Sequence, residues 1–343
     1  MVKILYVEEG VDEDNQLEKL ESLLSRSKFF QLVPKTGLIC IKVNLAPASQ
    51  KKYKYYTDPE LVDHLVKLIK LHEPRTKAKV LIVEASSSDM LAFPNITMDD
   101  MACNVGYQNK VIDLSEEDSE VIESVGFSLP VSSLMLKSNF IINFPKAKNH
   151  DLMKMTGCLK NMYGSIVEPN KYRAFHKKEY QGMNVIDATY FINTVTSPHF
   201  NIVDFVTSVD GNEKSFYRGD VDDLRNFSHY EAGMLIAGKN PVAIDKFLSV
   251  KMGYEQNESP IIDYIANKTG DFDIFEEYSI SGSDFSELDG WRKVSKTRIG
   301  LSKFQDKLPI SDKTIFSEIR KYKMDVKKKC TRKPKKKKPA KKS

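Results

Sequence analysis

Basic side chains and histidines that could bind an anion are concentrated between Asn139 and His176. They follow an apolar run, Phe140–Phe144, which Pro145 ends because proline has no N–H to donate to a neighbouring strand. The run predicts a buried strand, and ligands of open α/β sheets bind beyond the carboxyl ends of strands. The cluster consists of Lys146, Lys148, Lys160, Lys171 and Arg173 with His150 and His176. It predicts an anion pocket; the alternative is a solvated basic loop.

Lys160 is the side chain of this cluster that we expect to matter most for function. It follows Thr156 by four residues and directly precedes Asn161, a spacing that places Thr156 and Lys160 on one face if the segment is helical. We therefore predict that its ammonium points into a cleft beside Lys146 and Lys148.

Polar residues also follow the other predicted strands. Lys42 and Asn44 end the run Leu38–Leu45, Glu84 ends Lys79–Ala85 before three serines, and Asp210 follows the apolar run 200–206. Because the carboxyl ends of parallel strands meet at one edge of a sheet, we predict that Pro145–His150, Asn44–Thr57, Glu84–Ser88 and Asp210–Gly211 line one cleft.

Strands and helices alternate along the chain. The clearest helix begins at Pro59 after Thr57 or Asp58 as the capping residue; others are predicted over about 14–27 and after Pro130 to about Ser138. The alternation predicts an α/β fold with a mainly parallel sheet flanked by helices. The expected division is an α/β domain over 1–270, a peripheral C-terminal elaboration over 271–325, and a disordered basic tail over 326–343.

Composition and cysteine spacing restrict the class of protein. No apolar stretch approaches the roughly 20 residues needed to span a bilayer, and the N-terminus reads as a first strand, so we expect a cytoplasmic protein without a membrane contact. The four cysteines form no CxxC pair, which argues against a disulfide framework and against a zinc or iron–sulfur site built by cysteines.

The C-terminal tail has a charge opposite to that of the rest of the chain. Residues 321–343 contain 13 Lys or Arg and one acid, while the preceding residues contain 39 basic and 46 acidic side chains, so the net charges are +12 and about −7. Such a run cannot bury apolar surface. It is typical of a segment that contacts nucleic acid or another polyanion, and equally of a solubilising appendage.

Several short motifs resemble the "domain of unknown function 362" family. They extend from about residue 38 to 255 and comprise Ile41–Leu45, Thr57–Val62, Val83-Glu84, Pro145–His150, Thr156 with Lys160–Gly164, Val203-Asp204 with Gly211, and Asn240–Asp245. Many members carry a CxxCxxC insertion for iron–sulfur clusters. This chain lacks those cysteines, so no such cluster is expected.

The spacing of His150, Lys160 and His176, by ten and sixteen residues, is similar to that of the lactate racemase group, whose nickel-pincer nucleotide is tethered to a lysine. The resemblance implies His150 as a general acid/base, Lys160 as the tether and His176 as a metal ligand for nickel or another metal. Where those racemases have a second catalytic histidine, this chain has Glu84, so two-base racemisation in its known form does not carry over.

Two classes of function follow from these observations. The first is an enzyme of redox or isomerase type that acts on an anionic small molecule or holds a phosphate-bearing cofactor. Its predicted catalytic residues are His150, Lys160 and Glu84, and its predicted cofactor-binding residues are Lys42, Asn44, Thr57, Lys146, Lys148, Thr156, Asn161, Lys171, Arg173 and Asp210. The alternative is a non-enzymatic protein that binds nucleic acid or another polyanion through residues 326–343.

Overall fold

The structure is a computed structural model that describes residues 3–45, 54–72, 77–86, 97–150, 153–168, 171, 174–175, 177–211, 227–255, 258–270 and 278–293. The predicted basic tail, Arg173, His176 and the loop residues 46–53 and 87–88 of the predicted cleft lie outside the described residues.

Strands and helices alternate along most of the described chain. The strands are β1 Lys3–Glu8, β2 Leu38–Val43, β3 Lys79–Glu84, β4 Val111–Asp113, β5 Ser119–Ser124, β6 Phe127–Ser132, β7 Phe140–Phe144, β8 Lys148–His150, β9 Lys154–Thr156, β10 Phe200–Gly211, β11 Phe227–Gly238 and β12 Tyr278–Ser281. The helices are α1 Gln16–Arg26, α2 Pro59–His72, α3 Met98–Val105, α4 Ser133–Leu136, α5 Cys158–Met162, α6 Val185–Val195, α7 Pro241–Lys251 and α8 Pro260–Thr269.

Eight of the described strands form one sheet in the order β12-β1-β11-β10-β7-β2-β3-β4. The run β10-β7-β2-β3-β4 is parallel throughout, β1 and β12 are parallel to each other, and β11 is antiparallel to both of its neighbours. The predicted fold class, a mainly parallel sheet flanked by helices, is confirmed.

Helices cover both faces of this sheet. Alternate residues of β2 show the two sides: Ile39 and Ile41 pack in the core that contains α1, α2 and α3, whereas Cys40 packs in the core that contains α6. We call the side on which Cys40 lies the second face of the sheet. The helices α5, α7 and α8 cover the β10–β11 part of this second face. Strands buried on both faces are expected to be almost continuously apolar, as in Phe140–Phe144.

The start of α2 follows the capping rule that the sequence indicated. The Asp58 carboxylate accepts a hydrogen bond from the N–H of Glu60 (2.8 Å), and Pro59 occupies the first helical position, where no N–H is needed. Within the part of the chain that the structure describes, no helix has the length and apolar character required to cross a membrane.

The shared helical face considered for Thr156 and Lys160 is not found. Thr156 ends β9, which pairs with β8 as a hairpin, and only Lys160 lies in a helix, so the two side chains do not share a helical face. Strands of three residues show no periodicity that could have predicted the hairpin. The helix predicted after Pro130 is found as α4, Ser133–Leu136. Pro130 itself lies within β6, because the two-stranded sheet β5–β6 tolerates a proline at an edge.

A row of buried polar side chains crosses the second face of the sheet and contacts α5. Lys42, Asn143 and Asn201 are direct neighbours on β2, β7 and β10. The Asn143 amide donates hydrogen bonds to Asn201 Oδ1 (2.9 Å) and the Cys158 carbonyl (3.0 Å). The Asn161 amide in turn donates to Asn143 Oδ1 (2.8 Å) and the Lys42 carbonyl (3.2 Å). These bonds fix α5 against three strands.

We expect Asn143→Ala to destabilise the protein by about 2–4 kcal/mol, because it leaves polar atoms of Asn161 and Asn201 buried without their partner. Urea unfolding measures the loss. The control is Asn267→Ala, which removes an exposed amide that donates only to the Asp263 carbonyl in α8. Equal unfolding free energies for the two variants would contradict the structural importance of the row.

Candidate functional site

The carboxyl ends of β2 and β3 are joined by a buried ion pair. The Lys42 ammonium lies 2.6 Å from Glu84 Oε1 and donates to the Val43 carbonyl (2.9 Å). Glu84 also accepts hydrogen bonds from the N–H groups of Ala85 (2.9 Å) and Leu45 (3.1 Å). Burial lowers the pKa of Lys42, and the neighbouring Glu84 carboxylate opposes that shift.

Gly164 packs directly against this pair. A Cβ at position 164 would lie 2.6 Å from both Glu84 Oε1 and Lys42 Nζ, which is far inside van der Waals contact. A glycine is therefore required for the short 3-10 helix Tyr163–Ser165 to approach the two strand ends. This contact is the physical reason for the glycine in the motif Lys160–Gly164.

Lys171 reaches the same corner from the chain beyond that helix. Its ammonium donates to the carbonyls of Gly164 (3.2 Å) and Ser86 (3.3 Å), and only 5% of the residue is exposed. Lys42, Glu84 and Lys171, three of the predicted site residues, are thus brought together around Gly164.

The electrostatic environment of Lys171 lowers its pKa to about 7. Burial is the main cause, and the positive charges of Lys42 and Lys160 add to it, while Glu84 and Asp113 act in the opposite direction. At neutral pH this amine therefore exists in both protonation states, unlike an ordinary lysine.

Lys160 lies half-buried on α5, with its ammonium 4.5 Å from the centroid of the Tyr163 ring. The start of that helix is held by Asp245 of α7, whose carboxylate accepts hydrogen bonds from the N–H groups of Cys158 (2.6 Å) and Leu159 (2.9 Å). Burial raises the pKa of Asp245 to about 7, although these two bonds oppose the shift. The sheet and α7 thus position Lys160 together.

Asn44 and Thr57 join the ends of β2 and β7. The Asn44 N–H donates to Thr57 Oγ1 (2.9 Å), and that hydroxyl donates to the Phe144 carbonyl (2.7 Å). The Asn44 amide nitrogen contacts Asn161 Oδ1 at 3.4 Å, whereas its own oxygen is buried without a hydrogen-bond partner among the described residues. An unpaired buried acceptor of this kind suits a ligand that donates a hydrogen bond.

A second buried ion pair joins the segment that follows β7 to the middle of β10. The Lys146 ammonium is 2.8 Å from Asp204 Oδ1, and Asp204 Oδ2 accepts a hydrogen bond from the Asp58 N–H (2.8 Å). Burial raises the pKa of Asp58, and the Asp204 charge adds to that shift. Lys146 therefore has an internal counter-ion. The sequence offered little sign of this pairing, because Asp204 stands 58 positions after Lys146.

The remaining predicted residues lie along the β8–β9 hairpin and beside β10. The Lys148 ammonium donates to the Tyr55 carbonyl (3.1 Å) and lies 5.0 Å from the centroid of the Tyr55 ring. Thr156 pairs with Lys148 across the hairpin. Asp210 forms a salt bridge with Arg292 (2.7 Å).

His150 lies at the tip of that hairpin, where its Nδ1 accepts a hydrogen bond from the Met153 N–H (3.2 Å). Among the described residues no three His, Cys, Asp or Glu side chains are arranged to hold a metal ion. The two cysteines described as free, Cys40 and Cys158, are buried.

Comparison with known proteins identifies the family. A family model described as "domain of unknown function (DUF362)" matches residues 39–249, which is more than half of the chain. The chain belongs to this family. The membership predicted from the motifs of this DUF362 protein is therefore confirmed.

Among curated proteins, none matches the DUF362 chain in sequence. Among solved structures, it is similar to the lactate racemase apoprotein from Thermoanaerobacterium thermosaccharolyticum, with a TM-score of 0.38 and 13% sequence identity. The match covers 67% of this chain and 54% of that one, so the DUF362 chain matches about half the length of the racemase.

We expect Gly164→Ala to destabilise the DUF362 protein by about 3–5 kcal/mol, because the added methyl group forces apart the buried charges of Lys42 and Glu84. Among the described residues, neither charge has another partner of opposite sign at ion-pair distance. Thermal and urea unfolding measure the effect. In the control, Gly238→Ala, the new methyl meets the ends of flexible side chains, with Leu5 Cδ2 at 3.1 Å and Ile244 Cδ1 at 3.5 Å, and about 1 kcal/mol is expected. A Gly164→Ala variant as stable as this control would contradict the close approach.

Proposed function

We propose that this DUF362 protein is an enzyme that binds an anionic small molecule or a phosphate-bearing cofactor beyond the carboxyl ends of β2, β3 and β7. The supporting observation is the set of buried lysines in that region, each more than nine-tenths buried: Lys42, Lys146, Lys148 and Lys171. Lysine is almost never fully buried unless it is paired, because an ammonium is strongly hydrated. A group of them at strand ends is explained most simply by a ligand that carries negative charge.

A purely structural role explains only part of this set. Lys42 and Lys146 have internal counter-ions in Glu84 and Asp204, and such pairs can hold strand ends together without any ligand. Lys171 has no carboxylate at ion-pair distance among the described residues. The proposal therefore depends most on the corner where Lys171, Gly164 and the Lys42–Glu84 pair meet.

The type of reaction that we propose is redox or isomerase chemistry with a nucleotide tethered to Lys160. The described residues suit two parts of such a group. Lys160 carries a half-buried amine, the group that such an attachment requires, and Lys171 lies close enough to interact with it electrostatically and to hold a phosphate. A metal-bearing pincer nucleotide supplies a hydride acceptor when it is bound. His150 would exchange a substrate proton, because imidazole is the side chain that most often acts as a general acid or base.

Lys160 variants test the proposed tether. In protein purified from its native host, we expect wild type to show an intact mass above that of the chain and to contain a stoichiometric metal, and Lys160→Arg and Lys160→Ala to lose both. Arginine keeps the charge but cannot form the same covalent bond. The control is Lys67→Ala on the exposed side of α2, which should retain both properties.

The Lys160 variants also separate the covalent role from simple anion binding. If Lys160→Arg retains full function, the covalent role is wrong and an anion-binding role survives. If Lys160→Ala retains function as well, the assignment of the site to this corner of the sheet is wrong.

A second candidate function is contact with a polyanion through the basic tail, supported by the 13 Lys or Arg residues in 321–343. A segment of this charge releases counter-ions from nucleic acid, so its binding weakens steeply with added salt. This function is independent of the pocket and would coexist with it.

Deletion of residues 326–343 tests the tail. We expect the truncated protein to lose salt-dependent binding to duplex DNA and RNA, measured by fluorescence anisotropy, while it keeps the unfolding free energy and small-anion binding of the full chain. Unchanged nucleic-acid affinity after the deletion would show that the tail is not the contact.

A further inference from the structure

Among the residues that the structure describes, Lys171 has the environment of a cation without a counter-ion. Its two hydrogen-bond acceptors are the neutral carbonyls of Ser86 and Gly164, at 3.3 Å and 3.2 Å, which are long for bonds that involve a charged donor. Among the described residues no carboxylate lies at ion-pair distance from its ammonium.

The acids that face Lys171 are already engaged elsewhere. Glu84 of β3 is paired with Lys42 and accepts two backbone N–H groups. Asp113 of β4 accepts hydrogen bonds from both the N–H (3.0 Å) and the hydroxyl of Ser86. The other charged neighbours, Lys42 of β2 and Lys160 of α5, are cations. Of the described groups packed around Lys171, none therefore forms an ion pair with its ammonium.

An uncompensated buried ammonium is costly, and proteins usually avoid it by neutralising the amine or by supplying an anion. We propose that Lys171 is the cation that receives the anionic group of the ligand and that it takes up a proton when the ligand binds. This inference rests on the proposed function, because it names the group that contacts the ligand at that same site.

The direction of the pH effect follows from the environment of the amine. Because the pKa of Lys171 is lowered to about 7, the free protein holds mostly neutral amine above that pH. An oxyanion beside the amine favours the ammonium form and raises the pKa again. Binding above pH 7 therefore requires proton uptake, and affinity should fall by up to roughly tenfold for each pH unit above about 7.

Sulfate is a suitable probe because its own charge does not change between about pH 6 and about pH 9. We expect sulfate to bind wild-type protein with proton uptake at about pH 8, measured by titration calorimetry in two buffers of different ionisation enthalpy. Lys171→Arg, which stays charged throughout, should bind sulfate with no such pH dependence. Lys171→Met should lose roughly 30-fold or more in affinity. Lys67→Met, on the exposed side of α2, should behave as wild type.

The outcomes distinguish failure of this inference from failure of the proposed function. If wild type and Lys171→Met bind sulfate equally, or if Lys171→Arg keeps the wild-type pH dependence, another cation receives the anion and only this inference is overturned. If wild type binds neither sulfate nor pyrophosphate nor AMP at about pH 6, the proposed anion site is overturned as well. If Lys171→Met does not fold, the comparison of Lys171→Arg with wild type decides the question.

Discussion

The ion pair between Lys42 and Glu84 is the interaction on which the arrangement of the site depends. It joins the ends of two adjacent parallel strands at 2.6 Å, and removal of either partner would leave a charge buried without compensation. The chain around it is adapted to its presence. Leu45 directs its N–H at the carboxylate as β2 ends, and Gly164 has no side chain, so a third segment reaches the pair. The carbonyl of that glycine then accepts Lys171.

Helix α5 is too short to be stable by itself, so its position is imposed from outside. On the side of the sheet, the Asn161 amide bonds Asn143 and the Lys42 carbonyl. On the opposite side, the buried carboxylate of Asp245 occupies the start of the helix, and a side chain at Gly157 would collide with it. Because hydrogen bonds are directional, these contacts fix the rotation of the helix as well as its location. The direction of Lys160 is therefore set by buried groups on three other elements.

Much of the fold could be predicted from the sequence because its signals are local. Helix α2 has Asp58 and Pro59 at its start and a regular apolar face, and β7 is apolar at every position except Asn143. The hairpin β8–β9 could not be predicted, because its strands have three residues each and are rich in charge. Helical spacing between Thr156 and Lys160 was therefore misleading.

The sequence indicated candidate residues for the site, but it did not indicate the residues with which they form hydrogen bonds and ion pairs. Lys42, Glu84, Lys146 and Lys171 were predicted as site residues, and in the structure all four are buried. Their partners lie far away in sequence: Lys146 bonds Asp204 58 positions later, and the Cys158 N–H bonds Asp245 87 positions later. No local pattern encodes such pairs, because they arise only when the sheet order brings distant strands and helices together. For the same reason, the sequence could not show that Lys42 forms an ion pair with Glu84, whereas Lys171 forms none among the described residues.

The net charge of residues 1–320 and the burial of the lysines at the strand ends bear on the size of anion that the proposed site would accept. Residues 1–320 carry a net charge of about −7, whereas the cations at the strand ends are buried. Charges at an exposed surface act over roughly 10 Å at 0.1 M salt, so an extended polyanion meets the negative exterior along its whole length. A small oxyanion meets that exterior only on approach and then enters an environment of low dielectric constant, where each ammonium interacts more strongly. If the proposed function is correct, the pocket would therefore favour compact anions on electrostatic grounds, and extended polyanions would be left to the basic tail.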